Sequence, residues 1–168
     1  MELVDKFDKR RAPLNKVAER SNIIEGEYRQ SMHLWIINDK GEFLIQKRSD
    51  SKKKNPGLWS ITGGGVEAGE HSYETVIREA KEELGIDISP DKVNFMLSIK
   101  RRYTFADVYV VMQNINIDDV IMQEEEVSDV KWATIDEIKN MIDEGQFTSS
   151  INIYLDMLLY LITEWTKG

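Results

Sequence analysis

The sequence lacks several features that define whole classes of protein. It has no cysteine among its 168 residues, which excludes disulfide scaffolds, thiolate zinc sites and thiol nucleophiles. The longest apolar stretch, residues 151–162, contains Asn152 and Asp156 and is too short and too polar to cross a bilayer. The opening residues have no apolar core of the kind found in secretory signals. We therefore expect a cytoplasmic protein without a membrane partner.

Positive charge is also scarce. The chain has 22 Lys and Arg against 30 Asp and Glu, which gives a formal net charge of −8. A general nucleic-acid-binding protein needs a basic surface, so we expect no nucleic-acid partner. An anionic small molecule stays open as a ligand, because a bound metal ion reverses the local charge of an acidic site.

Sequence patterns alternate between strands and helices. There are only three prolines and no repeats or linkers, so we expect a single domain over 1–168, with an N-terminal extension over 1–30 and a C-terminal helix over 150–166. The periodicity predicts a helix over residues 72–84, capped by Ser72 and ended by Gly85. Thr134 and Glu137 have the spacing of a capping box that opens a later helix. This alternation predicts an α/β or α+β sandwich.

Three carboxylates crowd the end of the first predicted helix. Glu79, Glu82 and Glu83 have i,i+3 and i,i+4 spacings, where like charges cost roughly 0.2–0.5 kcal/mol per pair. The helix dipole disfavours an anion there by roughly another 0.3–1 kcal/mol. A divalent cation would relieve both penalties, and carboxylate oxygens suit Mg²⁺ or Mn²⁺. A solvated helix face is the alternative interpretation.

The residues around these carboxylates carry a family resemblance. Residues 64–86 resemble the Nudix box of the Nudix hydrolases, in which a Gly and a Glu precede an Arg-Glu pair, a Glu-Glu pair and a closing Gly. Seven specified residues at about 7% usage each coincide with a probability on the order of 10⁻⁸ per starting point. Ala80 fills an aliphatic position with the smallest side chain, which is a mild departure. The matching residues are Gly64, Glu70, Arg78, Glu79, Glu82, Glu83, Gly85 and Ile86.

The resemblance implies a role for each matching residue. Glu79, Glu82 and Glu83 would bind Mg²⁺, with Mn²⁺ as an alternative and the Gly63 carbonyl as a further ligand. Structural roles fall to Gly64, Glu70, Arg78 and Gly85, with Arg78 holding the glutamates by ion pairing. In this family a later loop often adds a carboxylate, for which Glu124, Glu125 and Glu126 are candidates. The candidate catalytic residues are therefore Glu79, Glu82, Glu125 and Glu126.

The resemblance also implies a fold and a reaction. The fold would be a Nudix-type α/β/α sandwich with a mixed central sheet. The reaction would be hydrolysis of a diphosphate linkage in a nucleoside diphosphate derivative or a related small diphosphate, by attack of water on phosphorus. Arg48, Arg101 and Tyr103 are candidate substrate contacts, since Arg matches phosphate and Tyr stacks on a base.

Three questions stay open at this level. A ligand-sensing Nudix domain without turnover is an alternative to an enzyme. Residues 3–5 and 46–49 are similar to a branch that includes the isopentenyl-diphosphate isomerases, yet isomerase chemistry requires a cysteine that this chain lacks. The sequence does not decide between a monomer and a homodimer.

Overall fold

Nine strands and three α-helices make up the regular structure of residues 2–167, which are the residues that the computed structural model describes. No helix in this range is both long and apolar enough to cross a membrane. In chain order the elements are β1 (Leu3–Phe7), β2 (Pro13–Glu19), β3 (Arg29–Ile37), β4 (Phe43–Arg48), β5 (Trp59–Ser60), β6 (Thr62–Gly65), α1 (Ser72–Leu84), β7 (Asn94–Lys100), β8 (Thr104–Met112), β9 (Val127–Ala133), α2 (Ile135–Asp143) and α3 (Leu155–Thr166).

Contacts divide the chain into two compact units. The first unit consists of the described residues up to Trp35 together with Thr62–Val111. The second unit consists of Ile36–Ile61 and the described residues from Met112 onward. Strand β3 passes from the first unit into the second, so the two units share one strand.

The first unit contains the segment with the Nudix resemblance. Its N-terminal residues form a hairpin in which β1 and β2 pair antiparallel, with Leu3 opposite Glu19. Strand β3 pairs with β6, which places His33 opposite Gly63, and β7 pairs with β8. The amide of Ala68 donates a 2.9 Å hydrogen bond to the carbonyl of Leu3 and ties the hairpin to the loop before α1.

Helix α1 spans the predicted residues, but it begins differently from the prediction. Its N-cap is His71, whose amide donates a 2.8 Å hydrogen bond to the Glu74 carboxylate. Ser72 was the predicted cap, and its hydroxyl instead donates to Asp107 Oδ2 at 2.6 Å. The buried carboxylate of Asp107, on β8, thus binds the hydroxyl that was expected to cap the helix. At the other end, Gly85 adopts φ 65°, and this left-handed conformation ends the helix as predicted.

Packing of α1 follows the predicted periodicity with one exception. Val76, Ala80 and Leu84 are buried, as expected for the face that packs on strands. Tyr73 has the same helical spacing and lies in the first turn, but it is 45% exposed. The buried face includes Glu83, which is only 6% exposed.

The second unit is built around β4. This strand pairs antiparallel with β9 and β5, and its Phe43 pairs with Ile37 at the end of β3. A parallel bridge between Trp59 and Phe147 makes the pairing mixed. The molecule is therefore α+β, with a mixed sheet and three helices in the described residues.

Both helices of the second unit were anticipated. The capping box at α2 forms as predicted, since Thr134 Oγ1 accepts from the Glu137 amide at 3.2 Å and Glu137 Oε2 accepts from the Thr134 amide at 2.7 Å. The C-terminal helix begins at Leu155, later than the predicted residue 150. Ser149–Ile151 forms a 3₁₀ turn instead, and the buried Ile151 anchors it.

Candidate active site

The glycine segment of β6 is shaped around one carboxylate. A side chain added at Gly64 would place its Cβ 2.5 Å from the carboxyl carbon of Glu79, closer than real Cβ atoms approach a neighbour. Glu79 therefore packs directly over the Gly64 backbone, and glycine is the residue that allows this approach. Gly63, the expected main-chain ligand, lies next along the same strand and pairs with His33.

Arg78 links the box carboxylates through one guanidinium group. Its Nε donates to Glu70 Oε1 at 2.9 Å, and its Nη2 donates to Glu70 Oε2 at 3.1 Å. Its Nη1 donates to Glu79 Oε1 at 3.0 Å and to Glu82 Oε2 at 3.3 Å. A further bond of 3.2 Å joins Nη2 to the Gly65 carbonyl. The loop, the strand and the helix are thus held by a single side chain.

The charges in this network shift one another's pKa values. Hydrogen bonding to Glu70 raises the pKa of Arg78, so the guanidinium stays charged. Burial alone would raise the pKa of Glu70, but the hydrogen bonds from Arg78 and Thr75 outweigh it and lower the pKa. Burial raises the pKa of Glu79, and the charges of Glu82 and Glu2 add to that effect against the opposing pull of Arg78. Glu79 is therefore a more basic carboxylate than Glu70.

The three expected metal ligands differ in exposure. The side chain of Glu79 is 14% exposed and that of Glu82 is 53% exposed, whereas Glu83 is buried. Among residues 2–167 no three acidic or histidine side chains stand together in a metal-binding arrangement. The donors nevertheless suit a hard divalent ion, since Glu79 and Glu82 already converge on one cation, the Arg78 Nη1. Binding an ion through all three glutamates requires their side chains to rearrange.

The later acidic segment belongs to the second unit. Glu124 and Glu125 are exposed, and Glu126 is half-buried. The Glu126 carboxylate accepts a 2.6 Å hydrogen bond from Lys52 Nζ, and its carbonyl accepts one from the Ser49 amide at 2.9 Å. The segment is therefore attached to the loop after β4. In that same loop region, Arg48 Nε donates to the Lys54 carbonyl at 3.0 Å.

The other two expected substrate contacts lie between β7 and β8 in the first unit. Arg101 is exposed, and its charge adds to burial in lowering the pKa of His33 to about 4. Tyr103 is half-buried, with the guanidinium of Arg102 over its ring at 5.1 Å. The Tyr103 carbonyl accepts from the Arg29 amide at 3.0 Å. Neither side chain belongs to the Arg78 network described above.

Sequence reasoning missed the part that the N-terminal hairpin plays. Asp5 Oδ2 accepts a 2.8 Å hydrogen bond from the Gly69 amide in the loop before α1. Glu2 and Arg20 form a 3.0 Å ion pair beside Gly65. The Asp5–Gly69 hydrogen bond joins residues 64 positions apart, which no local pattern reveals. The similarity noted at residues 3–5 was the signal that pointed to this segment.

Comparison with known proteins shows the family. The NUDIX domain model matches residues 27–151, so the chain belongs to the Nudix family. The matched range contains the whole box and the later acidic segment. Within the family the chain is a pyrophosphohydrolase, as its hydrolase relatives indicate, which confirms the predicted class of enzyme.

Individual relatives support the assignment. An uncharacterized Nudix hydrolase of Listeria innocua is 32% identical over 123 residues, which cover 73% of each chain. The nucleoside triphosphatase NudI of an Enterobacter species is 29% identical over 67% of this chain and 86% of its own. The crystal structure of DR0079 from Deinococcus radiodurans has a TM-score of 0.75, with 23% identity over 92% of this chain and 96% of its own. The last comparison supports the fold, and the predicted Nudix-type α+β class is confirmed.

Proposed function

We propose that this enzyme hydrolyses a diphosphate linkage in a nucleoside diphosphate derivative or a related small diphosphate, with Mg²⁺ as its metal ion. The observation that carries the proposal is the Arg78 network, which gathers Glu70, Glu79 and Glu82 beside the glycine segment. The similarity to a nucleoside triphosphatase supports a substrate with a nucleoside and linked phosphates. We also propose that residues 1–168 act as one functional domain.

The box glutamates would hold the metal ion. Glu79, Glu82 and Glu83 offer carboxylate oxygens, and Gly63 offers its carbonyl. The bound ion supplies positive charge for the phosphate oxygens and lowers the pKa of water. Arg78 holds Glu79 and Glu82 close together through its Nη1, and the side chains would then rearrange so that all three glutamates reach the ion.

Glu79 is the proposed general base. Its carboxylate packs over the Gly64 backbone and accepts a hydrogen bond from Arg78, so it is held in one position beside the glycine segment. In the proposed step Glu79 accepts a proton from water while the water oxygen forms a bond to phosphorus. The bond from phosphorus to the bridging oxygen breaks, and the bridging oxygen leaves with the departing phosphate group. Arg78 holds the Glu79 carboxylate in position throughout.

The remaining contacts with the substrate are proposed from the chemical properties of the side chains. Arg48 and Arg101 would bind phosphate oxygens, and Tyr103 would stack on a base. Glu125 or Glu126 is proposed as the further catalytic carboxylate. Glu126 is the better supported of the two, because Lys52 and Ser49 hold its side chain and main chain.

The test is a hydrolysis screen over a panel of nucleoside diphosphate derivatives and small diphosphates with Mg²⁺ or Mn²⁺. We expect Glu82→Gln and Glu83→Gln to lower kcat/KM by about 100-fold or more each, as expected for loss of charge at a catalytic metal site. Glu25→Gln is the matched control, since Glu25 is exposed in the loop between β2 and β3. Wild-type turnover by a variant that carries both Glu82→Gln and Glu83→Gln contradicts the metal assignment. Tight binding without turnover by the wild type would instead indicate a ligand-sensing domain.

A further inference from the structure

A cavity lies under the N-terminal hairpin, outside the carboxylate network. Its volume is about 480 Å³, enough for a phosphate group and part of what it is attached to. Its lining combines two cations with two anions and a hydroxyl. The lining residues are Glu2, Glu19, Arg20, Ser21 and Arg29, all of which belong to the first unit.

Arg29 has an unusual position in this lining. Its Nη1 is buried and has no hydrogen-bond partner, the one such side-chain atom among residues 2–167. A buried charged donor without an acceptor is costly, and burial together with the nearby Arg20 lowers the pKa of Arg29. Arg29 therefore keeps a donor group that no acceptor within residues 2–167 uses.

Charge complementarity in the cavity favours an anion at Arg29. The Glu2 carboxylate accepts a hydrogen bond from Arg20 Nη1 at 3.0 Å and acts on Arg29 only through its charge. Glu19 is half-buried at the end of β2 and also lines the cavity. Because Glu19 is negatively charged, an anionic occupant must lie at Arg29 rather than fill the whole cavity. A phosphate group accepts several hydrogen bonds and meets a guanidinium in the geometry that Arg prefers.

The cavity adjoins the box. A Cβ added at Gly65 would lie 3.5 Å from the Glu2 carboxyl carbon and 3.6 Å from Arg20 Nη1. The carbonyl of the same glycine accepts from Arg78. The charge of Glu2 also contributes to the raised pKa of Glu79. A ligand can therefore extend from the glycine segment to the hairpin.

We propose that Arg29, supported by Arg20, forms an anion subsite that binds a phosphate group of the substrate next to the box. The proposal rests on the proposed hydrolysis and assigns the hairpin a direct part in substrate recognition. Because Arg29 Nη1 is buried, the Arg29 side chain would turn towards the cavity when the substrate supplies the missing acceptor.

Binding of inorganic pyrophosphate without divalent ions tests the subsite apart from catalysis. With EDTA present, isothermal titration calorimetry should show pyrophosphate binding to the wild type and a Kd about tenfold or more higher for Arg29→Gln. Arg29→Lys retains the charge and should fall between the two. Arg10→Gln, at an exposed arginine of the same hairpin, is the matched control and should bind like the wild type. Equal binding by the wild type and Arg29→Gln, or no binding by the wild type, overturns the proposal.

Thermal unfolding separates a ligand-binding role from a structural one. Because Arg29 Nη1 has no partner, Arg29→Gln should keep or raise the unfolding temperature of the free protein. A lowered unfolding temperature together with unchanged pyrophosphate binding shows a structural arginine and overturns the proposal.

Kinetics then distinguish failure of the subsite from failure of the proposed function. On an accepted diphosphate, Arg29→Gln should raise KM about tenfold and change kcat less than twofold, as for lost binding energy shared by ground and transition states. Hydrolysis with an unchanged KM overturns the subsite alone. Absence of hydrolysis across the panel, with Arg29-dependent pyrophosphate binding retained, overturns the proposed function alone.

Discussion

Two acidic regions of this chain look alike in composition and differ in structure. The end of α1 has Glu79, Glu82 and Glu83, and the segment before β9 has Glu124–Glu126. In the first region Glu79 packs on a glycine, shares a guanidinium and has a raised pKa. In the second region two glutamates are exposed and the third forms one ion pair with Lys52. The contrast shows that burial and shared partners, rather than the number of charges, distinguish the two regions.

Removing the shared cation should have the largest effect. Arg78→Gln leaves Glu70 and Glu79 without their main partner in a partly buried setting, so the free energy of unfolding should fall by about 2–4 kcal/mol. Urea unfolding at pH 7 measures the change. A loss below about 1 kcal/mol would mean that the network is no more coupled than a surface ion pair. Arg102→Gln, at an exposed arginine, is the control.

The comparison of enclosed and exposed ionisable groups also includes His33, which pairs with Gly63 in the sheet. Burial lowers its pKa from 6.5 to about 4, so between these values the unfolded chain binds a proton that the folded protein does not. The stability associated with neutral His33 is complete above pH 6.5 and is lost as the pH falls towards 4. Relative to His33→Gln, the wild type should lose about 2–3 kcal/mol over this range.

Unfolding free energies at pH 7 and pH 4 check the effect of His33. His71→Gln, at the exposed N-cap of α1, is the control and should follow the wild type. If the wild type and His33→Gln show the same pH dependence, the burial of this imidazole has no energetic consequence.

The contact between Gly64 and Glu79 offers a sharper local test. Gly64→Ala should cost about 1–3 kcal/mol, because the new methyl group overlaps the Glu79 carboxylate. In a Glu79→Ala background the same substitution should cost much less, since the obstructing atoms are gone. A double-mutant cycle by urea unfolding measures this coupling. Equal costs in both backgrounds would show that the carboxylate does not determine the need for glycine.

The solvated region should give the smallest effect. Lys52→Gln removes the partner of Glu126, but both side chains are about 30% exposed, so the free energy of unfolding should change by less than about 1 kcal/mol. The same urea measurements apply. A loss comparable to that of Arg78→Gln would remove the distinction between the two acidic regions.

Local signals in the sequence predicted much of the fold. The bounds of α1 were predicted because an apolar periodicity precedes Gly85, which ends the helix in a left-handed conformation. The capping box of Thr134 and Glu137 was also predicted, since both partners lie within one helical turn. Such features depend on neighbours in sequence, and they are therefore readable without a structure. The family was predicted for the same reason, because the box is a continuous segment.

Contacts between distant residues were not predictable in this way. Ser72 was expected to cap α1, yet its hydroxyl bonds to Asp107, which lies 35 positions later. The burial of Glu83 could not be read from its spacing, since spacing assigns a face to a residue but not the neighbours of that face. The unpaired donor of Arg29 likewise becomes visible only when the hairpin packs beside the box.

The attachment of the hairpin to the loop before α1 has a practical consequence. Two successive amides of that loop, Ala68 and Gly69, donate to Leu3 and Asp5 near the start of the chain. A substitution in β1 therefore acts on the loop that carries Glu70. Crosslinking the two segments would hold that loop in place, and the mobility of the hairpin would then set the mobility of Glu70.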